Sequence, residues 1–258
     1  MKNIILTIVT ALAVSFNAFA ANLGLESASS YTTATWIEGS GAGIGKWYFT
    51  MDTVKGISDS EQGGRVSVGS SAFNLQAGLS SNQYSNAFFV FEGGALTVGQ
   101  TVSLDANYLW NRGFRGIEFQ AGGTSLFRAE HASDAIQFKG TDITTADIIP
   151  ISQNAYQRAL TYSVRQVDAS NVEFKASILG SATPVFSSTF AASGISQIKF
   201  YAGDTATELV ATELVDQPNY GLYFNNINVI PEPSTPLLMG LGLAGLAVLR
   251  LRRVRKNG

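Results

Sequence analysis

Apolar and polar residues alternate along much of the chain between residues 31 and 230. In the runs 101–108 and 172–178 every second residue is apolar. Successive side chains of a β-strand point to opposite faces, so each run predicts a strand with one face in a core and the other in water. Similar but shorter runs predict further strands at 46–51, 65–68, 87–91, 116–120, 135–139, 159–167, 195–201 and 222–229.

Turn-forming residues separate these runs. They are Gly63-Gly64, Gly93-Gly94, Gly122-Gly123, Asp168 to Asn171, Gly180-Ser181 and Ala202-Gly203-Asp204. Many short strands with glycine turns and almost no helical periodicity predict an all-β fold, an antiparallel β-sandwich of jelly-roll type. One stretch breaks the pattern, because residues 206–210 are repeated as 211–215. Two copies are too few for a solenoid, so a short helix or a surface insertion is expected there.

The first 20 residues have the pattern of a secretory signal peptide. Lys2 gives a positive start, residues 4–14 form an apolar segment, and Ala18 and Ala20 supply an A-x-A cleavage site. Cleavage after Ala20 is therefore expected, as is an extracytoplasmic location for the body of the protein.

The chain ends in three physically different segments. Prolines at 231, 233 and 236 disfavour helix, the 13 residues from Leu237 to Leu249 carry no charge, and a cluster of cations follows. An apolar helix over 236–249 would be about 20 Å long, which is short for a bilayer core of about 30 Å. The cations prefer the cytoplasmic side, which places residues before Pro231 outside it. They are Arg250, Arg252, Arg253, Arg255 and Lys256.

This order of segments resembles the PEP-CTERM sorting signal of Gram-negative bacteria that make exopolysaccharide. The matching residues are the motif Pro231-Glu232-Pro233, the transmembrane helix at 236–249 and the basic tail at 250–256. The resemblance implies two partners during export, signal peptidase and an exosortase that cuts near the motif. It also implies transient residence in the inner membrane, followed by release or attachment at the cell surface. An ordinary single-span anchor is the alternative.

Composition bounds the remaining body, residues 21–230. It holds 11 of the 17 Lys and Arg and 18 of the 19 Asp and Glu, which gives a net charge near −7. An acidic body argues against nucleic acid and anionic lipid as partners. The chain has no cysteine, so neither disulfides nor thiolate chemistry is expected.

Two stretches of the body, Leu96 to Leu104 and Gly221 to Ile230, are similar to strands of concanavalin-A-like jelly rolls, including laminin-G-like domains. The similarity lies in strand rhythm rather than in invariant residues. It therefore supports an architecture and implies no activity.

A glycoside hydrolase needs two suitably spaced carboxylates. On one strand, Glu118 has Gln120 two residues on, which cannot act as a nucleophile or general acid. Glu173 has Lys175 in the same position, so neither glutamate has a second carboxylate beside it on its strand. Two acids from different strands remain an alternative. No catalytic residue is therefore assigned.

Other chemistry finds little support. His131 is the single histidine, so a multi-histidine zinc site is excluded, and it is expected in a solvated loop. No cofactor is predicted. Structural calcium would need clustered oxygen ligands, and the candidate acids are expected to be ordinary loop residues. These acids are Asp52, Asp59, Glu61, Asp142 and Asp147.

Carbohydrate binding needs exposed aromatic faces beside hydrogen-bonding groups. Trp110 with Arg112 and Arg115 is the expected exposed cluster. Most other strand aromatics are expected in the core. The sequence thus predicts an exported, non-enzymatic β-sandwich with a structural or exopolysaccharide-associated role. A secreted carbohydrate-active enzyme, either a glycoside hydrolase or a lyase, is the alternative.

Overall fold

The computed structural model describes residues 24–50, 54–58, 67–76, 84–108, 114–132, 135–140, 143–149, 158–203 and 221–230. The predicted signal peptide, the predicted C-terminal helix and the repeat at 206–215 lie outside these ranges. The described part contains one 3-10 turn, Ala28–Ser30, and 15 strands. The strands are β1 (Gly24–Glu26), β2 (Gly45–Thr50), β3 (Val54–Ser58), β4 (Ala72–Gln76), β5 (Tyr84–Phe91), β6 (Thr101–Tyr108), β7 (Phe114–Ala121), β8 (Thr124–Ala132), β9 (Ala135–Gly140), β10 (Ile143–Ile149), β11 (Ala159–Gln166), β12 (Asn171–Ile178), β13 (Pro184–Ala191), β14 (Gln197–Gly203) and β15 (Gly221–Ile230).

The strands form two sheets. One has eight strands, in the order β13-β12-β11-β6-β15-β4-β3 with β1 also paired to β15. The other has seven, in the order β10-β9-β8-β7-β14-β5-β2. Every strand pair is antiparallel. The two-sheet antiparallel sandwich expected from the alternating pattern is therefore confirmed.

Alternation also predicts which side chains are buried. Val102, Leu104 and Ala106 of β6 are buried, as are Val172 and Phe174 of β12, while Ser103, Asp105 and Glu173 between them are half-exposed. Two local predictions are wrong. Ser67 and Val68 lie outside any strand, and Ala202 and Gly203 continue strand β14 rather than forming a turn.

The Gly122-Gly123 turn shows why glycine is needed in this position. Ala121 and Thr124 are paired across a two-residue hairpin loop, and both glycines have positive φ, 55° and 91°. Two consecutive positive φ values define the hairpin turn that fits the twist of the strands, and side chains disfavour that conformation. The turn therefore fixes the pairing of β7 with β8.

Aromatic rings from both sheets meet in the core. Phe224 of the eight-stranded sheet stacks on Phe200 of the seven-stranded sheet with centroids 3.8 Å apart. Trp47, Trp36 and Phe73 surround this pair, and all five rings are buried. A second group of rings lies farther along the sandwich and comprises Phe119, Phe127, Phe138, Phe174, Phe186 and Phe190. The core is thus built largely from phenylalanine and tryptophan.

Two buried polar side chains hold the start of the described chain, Glu26 against strand β2 and the loop before it, and Asn225 against the last strand. Glu26 accepts a hydrogen bond from the Trp47 indole at 2.8 Å and one from the Ala42 amide at 2.8 Å. Asn225 accepts from the Ala28 amide at 2.9 Å and donates to the carbonyls of Val68 and Ser71. Since Gly24 also pairs with Val229, the two ends of the body lie side by side.

Candidate functional site

The outer face of the seven-stranded sheet carries the densest polar network of the described residues. Pairing register places Asp147, Gln137, Glu130, Gly116, Tyr201, Asn86 and Thr50 in one row across all seven strands. The next row holds Lys139, Arg128, Glu118, Lys199, Phe88 and Tyr48. Directly paired residues share a face, so these side chains form one continuous surface, called here the network face.

Glu130 is the centre of the network face. Its carboxylate accepts hydrogen bonds from Lys139 Nζ at 2.7 Å, Tyr201 Oη at 2.6 Å and Arg128 Nε at 3.1 Å. The four side chains come from strands β8, β9 and β14. Gly116 of strand β7 lies between Glu130 and Tyr201 in the same row. Hydrogen bonds to a charged acceptor are the strong ones, so the group is held in a single arrangement.

The protonation state of Glu130 follows from its partners. Burial alone would raise the pKa of Glu130, but the hydrogen bonds from Lys139 and Tyr201 and the charge of Arg128 outweigh it and hold the pKa below its usual value. Burial and the neighbouring Glu130 carboxylate raise the pKa of Tyr201. Glu130 is therefore an anion and Tyr201 a neutral donor at neutral pH.

A second polar chain runs beside the first. Gln120 donates to Glu118 at 2.6 Å and accepts from Gln197, and Lys199 Nζ lies 3.9 Å from Glu118. Lys199 also lies 5.4 Å from the ring centroid of Tyr201. The lysine thus joins the Glu118 chain to the Glu130 cluster.

Two glycines allow tyrosine rings to lie across the sheet. A Cβ at Gly116 would come within 2.3 Å of Tyr201 Oη, and one at Gly203 within 2.3 Å of the Tyr84 ring. Real Cβ atoms do not approach other atoms so closely. Gly116 is therefore required for Tyr201 to reach Glu130, a close-approach role for which glycine is suited.

The other half of the network face is aromatic. Tyr48 of β2 is paired with Phe88 of β5, and Phe88 with Lys199. Tyr48 and Tyr84 are 39% and 36% exposed. Flat exposed rings beside fixed donors and acceptors can stack on a sugar ring while its hydroxyls are hydrogen-bonded.

The predicted glycan cluster is not brought together by the described residues. Trp110 and Arg112 lie outside them, and Arg115 is buried, with 1% of its surface exposed, on the inward face of β7. Its expected exposure is wrong because position 115 shares the inward side with Ile117 and Phe119. In strand β2, Trp47 points inward and is buried, whereas Tyr48 points outward.

The position predicted for His131 is also wrong. The residue lies in strand β8, not in a solvated loop, and is fully buried. Its ring stacks on Tyr108 with centroids 5.7 Å apart, because position 131 faces inward like Phe127 and Ala129.

The acids considered for calcium are mostly outside the described ranges. Asp147 is described, and it accepts a hydrogen bond from Gln137 at 3.0 Å. Within the described ranges no group of three His, Asp or Glu side chains could hold a metal ion.

Sequence reasoning missed most of the network face. It considered Glu118 with Gln120 but not Arg128, Glu130, Lys139 or Tyr201. The signal lay in strand β8, where Arg128 and Glu130 alternate with Phe127 and Ala129. The cross-strand contacts depend on register, which the alternation of a single strand does not give.

A small groove of about 190 Å³ lies at the end of the sandwich where β15 finishes. Its lining includes Ile44, Phe91, Leu96 and Val229 and contains no charged side chain. The groove is therefore chemically unlike the network face.

We expect the contribution of Glu130 to stability to depend on pH. Glu130→Gln should lower the free energy of unfolding by about 1–3 kcal/mol at pH 7, because three donors lose a charged acceptor. The pKa of Glu130 is lower in the folded protein than in the unfolded protein, where it is about 4.3. The full difference in free energy of unfolding is therefore present above about pH 4.3, and it shrinks as the pH falls through the folded pKa. Urea unfolding of both proteins between pH 7 and pH 3 measures it.

Glu173→Gln is the control, since Glu173 lies on the other sheet, contacts Lys175 at 2.8 Å and is more exposed than Glu130. A smaller loss is expected for it at pH 7. A Glu130→Gln difference that grew on acidification would contradict the proposed ionised state.

Fold and terminal sequence together define the class of this chain: a β-sandwich body whose last strand leads directly into a C-terminal sorting segment. Residues 229–253 match the family model of the PEP-CTERM protein-sorting motif. The motif implies export and sorting by an exosortase through the membrane to the cell surface. No helix of the described residues has the length and apolar character needed to cross a bilayer.

Comparison with curated proteins gives no match. Among solved structures, the chain is similar to the T. cruzi calreticulin globular domain, with 10% identity, a TM-score of 0.42, and coverage of 82% of this chain and 94% of that one. It is also similar to the botulinum neurotoxin type C structure, with 11% identity, a TM-score of 0.48, and coverage of 86% and 50%. A glycosyl hydrolase family protein from Mycobacterium fortuitum gives 12% identity, a TM-score of 0.43, and coverage of 71% and 91%. Similarity at this level carries no conclusion about ligand or activity.

Proposed function

We propose that the exported body is a non-enzymatic component of the cell surface or extracellular matrix that holds exopolysaccharide on the network face. The observation that carries the proposal is the arrangement of one surface. The exposed rings of Tyr48 and Tyr84, on strands β2 and β5, share one face of the sheet with a fixed set of donors and acceptors centred on Glu130. Such a surface offers stacking and directional hydrogen bonds together, as sugar recognition requires.

The state of the acids supports binding rather than hydrolysis. Glu118 and Glu130 come from adjacent strands and share the network face, so they are the pair that the alternative of two acids from different strands would use. A glycosidase needs one carboxylic acid with a raised pKa to protonate the leaving group. The pKa of Glu130 is lowered instead, and Glu118 accepts from Gln120 and faces Lys199.

The test is retention of the mature protein on exopolysaccharide purified from the producing cells. Tyr48→Ala and Lys199→Ala should each weaken binding by tenfold or more, a loss of about 1.4 kcal/mol, because each removes one half of the sugar contact. Lys175→Ala on the other sheet is the matched control and should leave retention unchanged. Equal retention by all four proteins would exclude the network face as the binding site.

The same incubation distinguishes the alternative of a carbohydrate-active enzyme. Binding without new reducing ends or unsaturated sugars supports the proposal. Turnover that Glu118→Gln or Glu130→Gln abolishes would replace it with a glycoside hydrolase or lyase.

A further inference from the structure

The two strand orders of the described sandwich end in β13, β3, β10 and β2, and these four strands differ in how well their outer edges are protected. Strand β2 carries Lys46, β3 carries Lys55, and β10 carries Asp147 and two register shifts against β9. Charges and irregular pairing are the usual means by which proteins prevent edge-to-edge association.

Strand β13, Pro184–Ala191, lacks these protections. Its sequence PVFSSTFA contains no charged residue, and its proline is at the first position. Its pairing with β12 is regular from Asn171↔Ala191 to Ala176↔Phe186, with one shift beyond that point. It is the terminal strand of the eight-stranded sheet among the described residues. A regular, uncharged edge is a template for another strand.

The hydrogen-bonding direction of β13 follows from one contact. The Ala192 amide donates to the Ser170 carbonyl at 2.9 Å, so residue 192 faces β12. Antiparallel pairing alternates from residue to residue, which turns the N–H and C=O groups of Ser187, Thr189 and Ala191 away from β12. Three donors and three acceptors therefore line the outer edge.

The side chains on this strand suit a partner strand. Phe186 and Phe190 pack on Phe138 inside the sandwich at 5.2 and 5.4 Å between centroids, which fixes the strand in place. Val185, Ser187 and Thr189 are exposed and include β-branched residues favoured in sheets.

We propose that β13 pairs with β13 of a second copy of this chain, antiparallel about a two-fold axis at Thr189. Charge indicates where two copies of the chain can meet. The body is near −7, so two copies repel one another at most surfaces, but β13 carries no charge to oppose itself. A two-fold contact uses the same patch twice, so Ser187 bonds Ala191 of the second copy and Thr189 bonds its own equivalent. The two eight-stranded sheets become one.

The register makes a sharp test possible. Two Thr189 residues in a hydrogen-bonded pair would have Cα atoms about 5.5 Å apart, within the range for a disulfide. Because the chain contains no cysteine, Thr189→Cys introduces a single thiol. Mild oxidation of producing cells should yield a covalent dimer at twice the mass. Ser163→Cys, on the central strand β11 of the same face, should not.

Sedimentation of the processed protein across increasing concentration gives the second measurement. Wild type should reach the dimer mass, and Thr189→Lys should remain a monomer because two lysines would oppose each other across the axis. Ser163→Lys is the control and should still dimerise. A monomeric wild type, a dimer unaffected by Thr189→Lys, or no Thr189→Cys cross-link would each overturn the proposal.

Discussion

Replacing Pro231, Glu232 and Pro233 together with alanine is expected to abolish delivery of the protein to the cell surface. The three residues lie in the matched motif at 229–253, immediately after the last residue of strand β15. Alanine is the best helix former and proline the worst, so the substitution removes both the recognised residues and the barrier to helix between the strand and the apolar run. The precursor should then accumulate in the membrane fraction.

Mass spectrometry of the surface and membrane fractions measures this result, since it reads the C-terminus of each species. Pro184→Ala, at the start of strand β13, is the matched control and should be sorted normally. Shortened triple-alanine protein at the surface in the wild-type amount would show that the motif is not the sorting determinant.

The largest loss of stability is expected from Phe224→Ala. The ring of Phe224 is buried, stacks on Phe200 at 3.8 Å and lies 5.4 Å from Phe73 and 5.9 Å from Trp47. Truncation to alanine leaves a cavity between the two sheets. The strands are held by hydrogen bonds to their neighbours and cannot move inward to fill it. Comparable buried Phe→Ala changes cost about 3–5 kcal/mol, a large part of the stability of an ordinary domain.

Urea unfolding of the mature protein gives the difference in free energy. Tyr48→Ala, which removes an exposed ring from the network face, is the control and should cost about 0.5 kcal/mol or less. A loss below about 1 kcal/mol for Phe224→Ala would mean that the core repacks and that the two sheets are not fixed by this stack.

The architecture can be predicted from the sequence because a strand buried on one face shows alternating apolar and polar residues. Strands β6 and β12 alternate cleanly and were located to within a residue. Strand β8 is not among the predicted strands, and His131 is expected in a solvated loop, although it occupies an inward position between Ala129 and the end of the strand. A buried histidine stacked on a tyrosine has the same local sequence as an exposed one.

The network face could not be predicted for a different reason. Glu130 meets Lys139 from β9 and Tyr201 from β14, which are 9 and 71 residues away in sequence. Their meeting depends on the order of strands in the sheet, which local alternation does not determine. The terminal motif was recognisable because its parts are contiguous along the chain, and residues 229–253 bear this out.

The pairing of Gly24 with Val229 also governs how the body is presented. Strands β1 and β15 meet at one end of the sandwich. Whatever holds the chain beyond Ile230 therefore holds the body by that end. The opposite end of the sandwich, where β6 ends at Tyr108 and β7 begins at Phe114, then faces away from the attachment point. Adjacent termini of this kind also tolerate being joined, so a circularly permuted body should keep its fold.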